Sequence, residues 1–258
     1  MRGLVSGLII GLMLSLPVPS RAGSEPGNAC GIPDEFVTTD TPMDEFAAAI
    51  ATGHPVPILA VGSATTVGAV SISEGKPTAA EGGAYPEQML RALNAMMPKV
   101  QFVLAVRGGR GMTAEAQLTQ IQDALKQQHY PLVLWQTGTV EAVRGLRPDT
   151  LLDVLHDGAD EILNAGGNVV LIDPQFSRFL RANTDVDAYR DVMRQTATEP
   201  GVALFRRFDL MQTWADDGSI DLERTPKADR DKALDRVNTC LGQALAKFVL
   251  SGAEPAKK

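Results

Sequence analysis

Histidine and cysteine are scarce in this chain: 258 residues carry three of the first and two of the second. Two cysteines exclude a disulfide-dense scaffold and a four-cysteine zinc site. His54, His129 and His156 show no metal-ligand spacing, and none stands at the carboxyl end of an apolar run. Imidazole catalysis, a metal site and a cofactor are therefore not expected. Basic charge is also in deficit, with 24 Lys and Arg against 31 Asp and Glu and a formal net charge of −7. That balance lacks the positive footprint of a general nucleic-acid binder. Internal repeats are absent, and no apolar run beyond the N-terminus is long enough to span a bilayer. What is present is 44% hydrophobic and 21% charged residues, the composition of a globular protein with a full core.

The N-terminus reads as a targeting segment. Met1-Arg2-Gly3 precedes an uncharged run from Leu4 to Val18, and Ser20-Arg21-Ala22 follows. A positive start, an apolar centre and a small-x-small site form a secretory signal peptide, residues 1–22, cut after Ala22. The alternative, a membrane anchor, needs about 20 apolar residues. The expectation is a secreted or periplasmic protein with no membrane span after cleavage. In an oxidising compartment Cys30 and Cys240 are expected to pair, two buried free thiols being the alternative.

Beyond residue 56, short apolar runs alternate with amphipathic stretches. Strands are expected at 57–62, 100–106, 131–135, 168–172 and 202–205. Helices are expected at 86–97, 113–127, 148–164, 186–196 and 229–250, with Pro148 opening the third and Gly166-Gly167 closing it. Strands alternating with helices imply a flavodoxin-like five-stranded parallel sheet in a three-layer α/β/α sandwich, with its site at the carboxyl ends of the strands. Residues 23–56 read as an arm docked on one domain, 57–250, and 251–258 as a frayed tail.

Glycine-bearing turns follow the first three strands: Gly62-Ser63-Ala64-Thr65-Thr66-Val67-Gly68, Arg107-Gly108-Gly109-Arg110-Gly111, and Gln136-Thr137-Gly138-Thr139-Val140-Glu141. Asp229-Arg230-Asp231-Lys232 stands before the last helix. With Cys30, the Trp135–Thr139 segment and Cys240, this layout resembles the SGNH (GDSL-type) hydrolase family, in an exported bacterial branch, over nearly all of the chain after the signal. The resemblance implies the SGNH-hydrolase fold and ester, lipase or carbohydrate-deacetylase chemistry. That chemistry uses a serine nucleophile, an Asp-x-x-His pair, and an oxyanion hole of a glycine N–H and an asparagine side chain.

Carried over residue by residue, the pattern is degenerate. The nucleophile falls on Ala64, the oxyanion asparagine on Val140 and the histidine on Lys232, counted back from Cys240. Gly111 and Asp229 are retained. Alanine has no nucleophile and valine no donor, and losing one oxyanion donor costs about a hundred- to a thousand-fold in rate. Lysine, with an ordinary pKa near 10.4, stays protonated at neutral pH. The reading is a pseudoenzyme whose cleft (Ser63, Thr65, Arg110, Gly138, Thr139, Glu141) binds a small molecule, an acyl ester or a carbohydrate, or docks a partner. The alternative is a divergent ester hydrolase or deacylase using Ser63 or Thr65 as nucleophile, with Lys232 as a desolvated base or Glu141 as an acid or base. For Ser63 and Thr65 the bland role is turn capping. Gly108-Gly109-Arg110-Gly111 lacks a phosphate-loop register. Arg107, Arg110 and the pair Arg206-Arg207 read either as anion ligands or as solvated surface.

Overall fold

A computed structural model of the chain describes residues 30–68, 71–73, 76–78 and 82–254. The expected signal peptide, 1–22, and the last four residues of the expected tail lie outside the described residues. In chain order the elements are α1 (Asp44–Ala51), β1 (Val56–Gly62), β2 (Ser71–Ser73), β3 (Lys76–Thr78), α2 (Tyr85–Met96), β4 (Phe102–Gly108), α3 (Ala114–Leu125) and β5 (Leu132–Gln136). There follow α4 (Thr139–Arg144), α5 (Pro148–Asn164), β6 (Asn168–Ile172), α6 (Arg178–Asn183), α7 (Val186–Thr196), β7 (Val202–Phe205), α8 (Arg207–Asp216) and α9 (Arg230–Ala253).

Five strands form a parallel sheet in the order β4-β1-β5-β6-β7. The first strand lies inside and the chain moves outward from it both ways, which is the doubly wound arrangement. Side chains alternate across such a strand. Ile58 and Ala60 of β1 enter one apolar layer with α1, α2 and α9, while Leu59 and Val61 enter the other with α3, α5 and α7. Both faces are covered, so β5 and β6 are buried at every position. The five expected strands and five expected helices are all present. The short hairpin β2–β3 and helices α1, α4, α6 and α8 add to them. Of these helices α4 and α6 have six residues each, too few turns to print a helical period.

Two buried features hold the periphery to the sheet. Phe46 of α1 is fully buried, and its N–H donates to the Asn168 side chain at the start of β6, 2.9 Å away. A disulfide joins Cys30 to Cys240 of α9, with the Cα atoms 5.5 Å apart. Closing so long a loop stabilises by about 5 kcal/mol in the chain-entropy account. Helices α2 and α9 approach so closely that a Cβ on Gly242 would stand 2.4 Å from the Gln88 Cβ and 2.6 Å from the Met89 nitrogen. Helix α9 also runs further than expected, through Ser251–Ala253. Gly252 there is buried against Met43, and its carbonyl accepts the Met43 N–H at 2.8 Å. That contact removes three residues from the expected tail.

Candidate functional site

The sheet register brings the first three glycine turns to one end of the molecule. Gly62 and Gly108 are partners at the carboxyl ends of β1 and β4. Gly108 has φ +126°, and a Cβ there would fall 1.9 Å from the Gly62 carbonyl oxygen. Only glycine lets the second turn lie against the first. The Gly109 N–H then donates to that same carbonyl at 3.2 Å.

A pocket of about 150 Å³ opens between these turns, lined by Ser63, Ala64, Thr65, Gly111, Thr139, Val140 and Gln175. Ala64, Gly111 and Val140 are the positions aligned with the nucleophile, the oxyanion glycine and the oxyanion asparagine, and they meet in one cavity. Gln175 joins them from the segment after β6. The lining has a methyl at Ala64, two methyls at Val140, and hydroxyls at Ser63, Thr65 and Thr139. It includes no acid, base, histidine or cysteine.

Below the pocket lies a buried polar network centred on Gln136, the last residue of β5. Its Oε1 accepts from the Ser63 N–H at 3.1 Å, the Ser63 hydroxyl at 3.0 Å, the Thr66 hydroxyl at 3.0 Å and the Thr65 hydroxyl at 3.4 Å. Thr66 also meets the Tyr85 hydroxyl at 2.9 Å. Burial pushes the Tyr85 phenol further above its ordinary value, against the pull of Arg207. Three close donors crowd the two lone pairs of Oε1, and the Ser63 hydroxyl is one of them.

Arg207, at the first turn of α8, reaches the same network and is 2% exposed. Its Nε donates to the Asp173 main-chain oxygen at 3.1 Å and its Nη1 to the Thr65 hydroxyl at 3.2 Å. Its guanidinium stands 5.9 Å from the Tyr85 ring centre. Burial pushes its pKa below the usual arginine value, opposed by Tyr85 and Asp173. The two arginines of the Arg206-Arg207 pair thus differ. Arg206 is at the surface, on the Glu35 carbonyl at 3.1 Å and over the Phe36 ring.

Asp173 ends the β6 segment and is 1% exposed. Its Oδ1 accepts the Phe208 N–H at 2.8 Å, capping α8, and its Oδ2 faces the Arg190 Nε at 3.3 Å. Burial raises its pKa to about 6, against the Phe208 N–H and the Arg190 and Arg207 charges.

Other residues expected in the cleft stand apart from the pocket. Glu141 is buried, but its carboxylate accepts the Ala114 N–H at 2.5 Å, the Gly138 N–H at 3.0 Å and the Thr137 hydroxyl at 3.4 Å. It binds the start of α3 to the start of α4 and offers no free oxygen to a reaction. Gly138 carries the turn at φ +85° and is packed under Pro174. Arg110 is exposed and not part of the lining. Arg107 reaches Gln127 at 2.6 Å instead.

Asp229 and Lys232 do not line the Ala64 pocket. Both are exposed and line a different groove of about 610 Å³, between the start of α9 and residues 215–221. Lys232 therefore lacks the desolvation a lysine base needs. His129 bonds the Gly166 carbonyl at 2.9 Å and His156 pairs with Glu199 at 3.1 Å, both away from the pocket. No group of three metal-ligating side chains occurs among the described residues. Gln136 as hub and the inward turn of Arg207 rather than Arg206 were the features least visible in sequence. The signal for the first was a glutamine closing an otherwise apolar strand.

Residues 29–255 match the Non-GDSL lipase-like family. No curated protein matches the chain. Among solved structures it is similar to Axe2, an acetylxylan esterase from Geobacillus stearothermophilus, at 17% identity and TM-score 0.53, covering 70% of this chain and 91% of that one. It is also similar to LAE5, an alpha/beta hydrolase enzyme from the metagenome of Lake Arreo, Spain, at 16% identity and TM-score 0.53, covering 73% and 98%. The psychrotrophic esterase EstA from Pseudoalteromonas sp. matches at 14% identity and TM-score 0.51, covering 75% and 98%. These likenesses carry the fold, the three-layer sandwich of the SGNH-type hydrolases.

Proposed function

This chain belongs to the Non-GDSL lipase-like family, and on that footing we propose that it is an exported, non-catalytic member that binds a small ligand in the pocket over Ala64. The observation that carries the reading is the lining itself. Where an SGNH esterase needs a serine, a base and an asparagine, this pocket has Ala64, no titratable side chain and Val140. A hydroxyl without a base attacks esters poorly, and a missing oxyanion donor slows the reaction by about a further hundred- to thousand-fold. The N-terminal signal pattern and the Cys30–Cys240 disulfide support export. No helix among the described residues is long and apolar enough to cross a membrane.

One observation favours the hydrolase reading. The Thr65 hydroxyl lines the pocket and accepts a hydrogen bond from Arg207, which would stabilise an alkoxide there. The esterase neighbours would make short acyl or acetyl esters its substrates. The test is hydrolysis of p-nitrophenyl acetate and butyrate by the protein beside its Ser63→Ala and Thr65→Ala variants. The expected result is one background rate for all three. Activity lost in either variant alone would overturn the non-catalytic reading and identify the nucleophile. Ala64→Ser is also expected to stay at background, because restoring a hydroxyl does not supply a base.

A further inference from the structure

Two donor nitrogens and one hydroxyl around the pocket turn lack a partner. Among the described residues Arg207 Nη2, Gln136 Nε2 and Thr139 Oγ1 are buried without a hydrogen-bond partner. Arg207 and Gln136 are each bonded through another atom to the Ser63–Thr66 turn, and Thr139 lines the pocket directly. Unpaired buried donors are costly and rare in a folded protein. The two nitrogens can only donate, and no carboxylate lines the pocket to meet them. Asp173 has its carboxylate oxygens on the Phe208 N–H and Arg190, with Arg207 touching only its main-chain oxygen, and Glu141 has its own on the Ala114 and Gly138 N–H groups and the Thr137 hydroxyl.

The direction of the Thr65 hydroxyl follows from this network. Arg207 Nη1 can only donate, so Thr65 Oγ1 must accept from it. The Thr65 proton then has only the long 3.4 Å bond to Gln136 Oε1, which an acceptor in the pocket can replace. Gln136 Oε1 is a poor choice at 3.4 Å, with three closer donors already on it. The pocket is where that proton can be used. Its other wall, Ala64 and Val140, is apolar.

We propose that the pocket takes a short-chain carboxylate, its hydrocarbon tail against Ala64 and Val140 and its carboxylate on the Thr65 and Thr139 hydroxyls, with the Arg207 charge behind Thr65 as counter-ion. This rests on the ligand-binding reading above and narrows it from a small ligand to an anion with a short tail. A volume near 150 Å³ admits roughly five waters' share of space, enough for a two- to four-carbon acid. Arg207 is the specificity residue, because a guanidinium kept out of water interacts strongly with an anion one hydroxyl away.

The experiment is calorimetric titration of the protein with propionate, with its neutral isostere propionamide, and with inorganic phosphate. Two variants accompany it: Ala64→Leu, which fills the pocket, and Thr65→Val, which removes the hydroxyl at nearly constant shape. Propionate is expected to bind saturably and propionamide and phosphate about tenfold or more weakly, the scale of one charge-assisted hydrogen bond. Ala64→Leu should abolish binding, and Thr65→Val should weaken propionate about tenfold without losing the native melting transition. Equal affinity for acid and amide would overturn the anion preference and leave the pocket as a ligand site. Propionate binding unchanged in both variants would place the anion elsewhere and overturn the proposal. No binding by any of the three probes would overturn it too, whereas ester hydrolysis lost in Thr65→Ala would overturn the non-catalytic reading beneath it.

Discussion

Two buried arginines share Asp173 and are neutralised in different ways. Arg190 of α7 is enclosed by carboxylates: Asp173 at 3.3 Å, Asp187 at 2.9 Å and Asp209 on its third nitrogen. Its guanidinium also stacks 3.9 Å over the Phe208 ring. Its carboxylate partners raise its pKa despite burial. Arg207 of α8 is more deeply buried and meets only a main-chain oxygen, a hydroxyl and one aromatic ring, with Nη2 left over among the described residues. Burial lowers its pKa. Arg190 thus has the surroundings of a structural ion cluster, all of whose needs the fold meets. Arg207 has an unmet need, and it adjoins the pocket. The anion proposed for the pocket would give Arg207 the negative partner that Arg190 already has within the fold.

The comparison breaks most visibly at Arg190. Arg190→Met is expected to lower stability by about 3–5 kcal/mol, because Asp173 is left buried with no cation on its carboxylate. Urea unfolding at pH 7.5 measures it. A loss below about 1 kcal/mol would mean that the cluster is no more structural than Arg207.

A second test is the pH dependence of Asp173. Its carboxyl sits at about 6 in the folded protein against an ordinary 3.8. Between those values the folded state holds a proton that the unfolded chain has released. The contribution to stability is therefore complete below pH 4 and is lost as pH rises through 6. The stability difference between the protein and Asp173→Asn should fall by about 3 kcal/mol from pH 4 to pH 6.5, the free energy of roughly two pKa units. A difference that rises over this window would mean that Arg190 outweighs burial at Asp173.

Arg207→Met should behave otherwise. Removing a desolvated charge with no carboxylate partner loses two hydrogen bonds and a ring contact but relieves the desolvation. The net change is expected within about 1 kcal/mol. Circular dichroism melts check the stability, and propionate titration should show binding lost in a protein that still folds. A loss as large as that of Arg190→Met would make Arg207 a fold residue.

The same contrast separates what was legible in the sequence from what was not. Strands show themselves by apolar runs, and parallel register then places everything at their carboxyl ends together. Ala64, Gly111 and Val140 could be brought to one place through the resemblance to the SGNH pattern. Gln136 and Arg207 could not, because their importance lies in partners on other elements: a turn after β1 for Gln136, and Thr65 with Tyr85 for Arg207. For a charged pair such as Arg206-Arg207 the sequence leaves anion ligand and solvated surface both open, and the start of α8 turns one of the two inward. The short helices α4 and α6 carry too few residues for a period to be visible.

The exposure of the last block has a geometrical reason, and the smallest expected effect follows from it. Lys232 stands eight residues before Cys240. On a helix eight residues turn through two full revolutions and about 80° more, so a residue at that spacing need not share the buried face of Cys240. Cys240 is 2% exposed in the core and Lys232 is exposed at the opening turn of α9, in a groove with Asp216, Asp217 and Asp229. Charges in such open surroundings are screened and contribute little. Asp229→Ala and Lys232→Ala, alone or together, are expected to change stability by less than about 0.5 kcal/mol and to leave propionate affinity at the wild-type value. A tenfold change in affinity from either would place that groove in contact with the Ala64 pocket and return the lysine to the site.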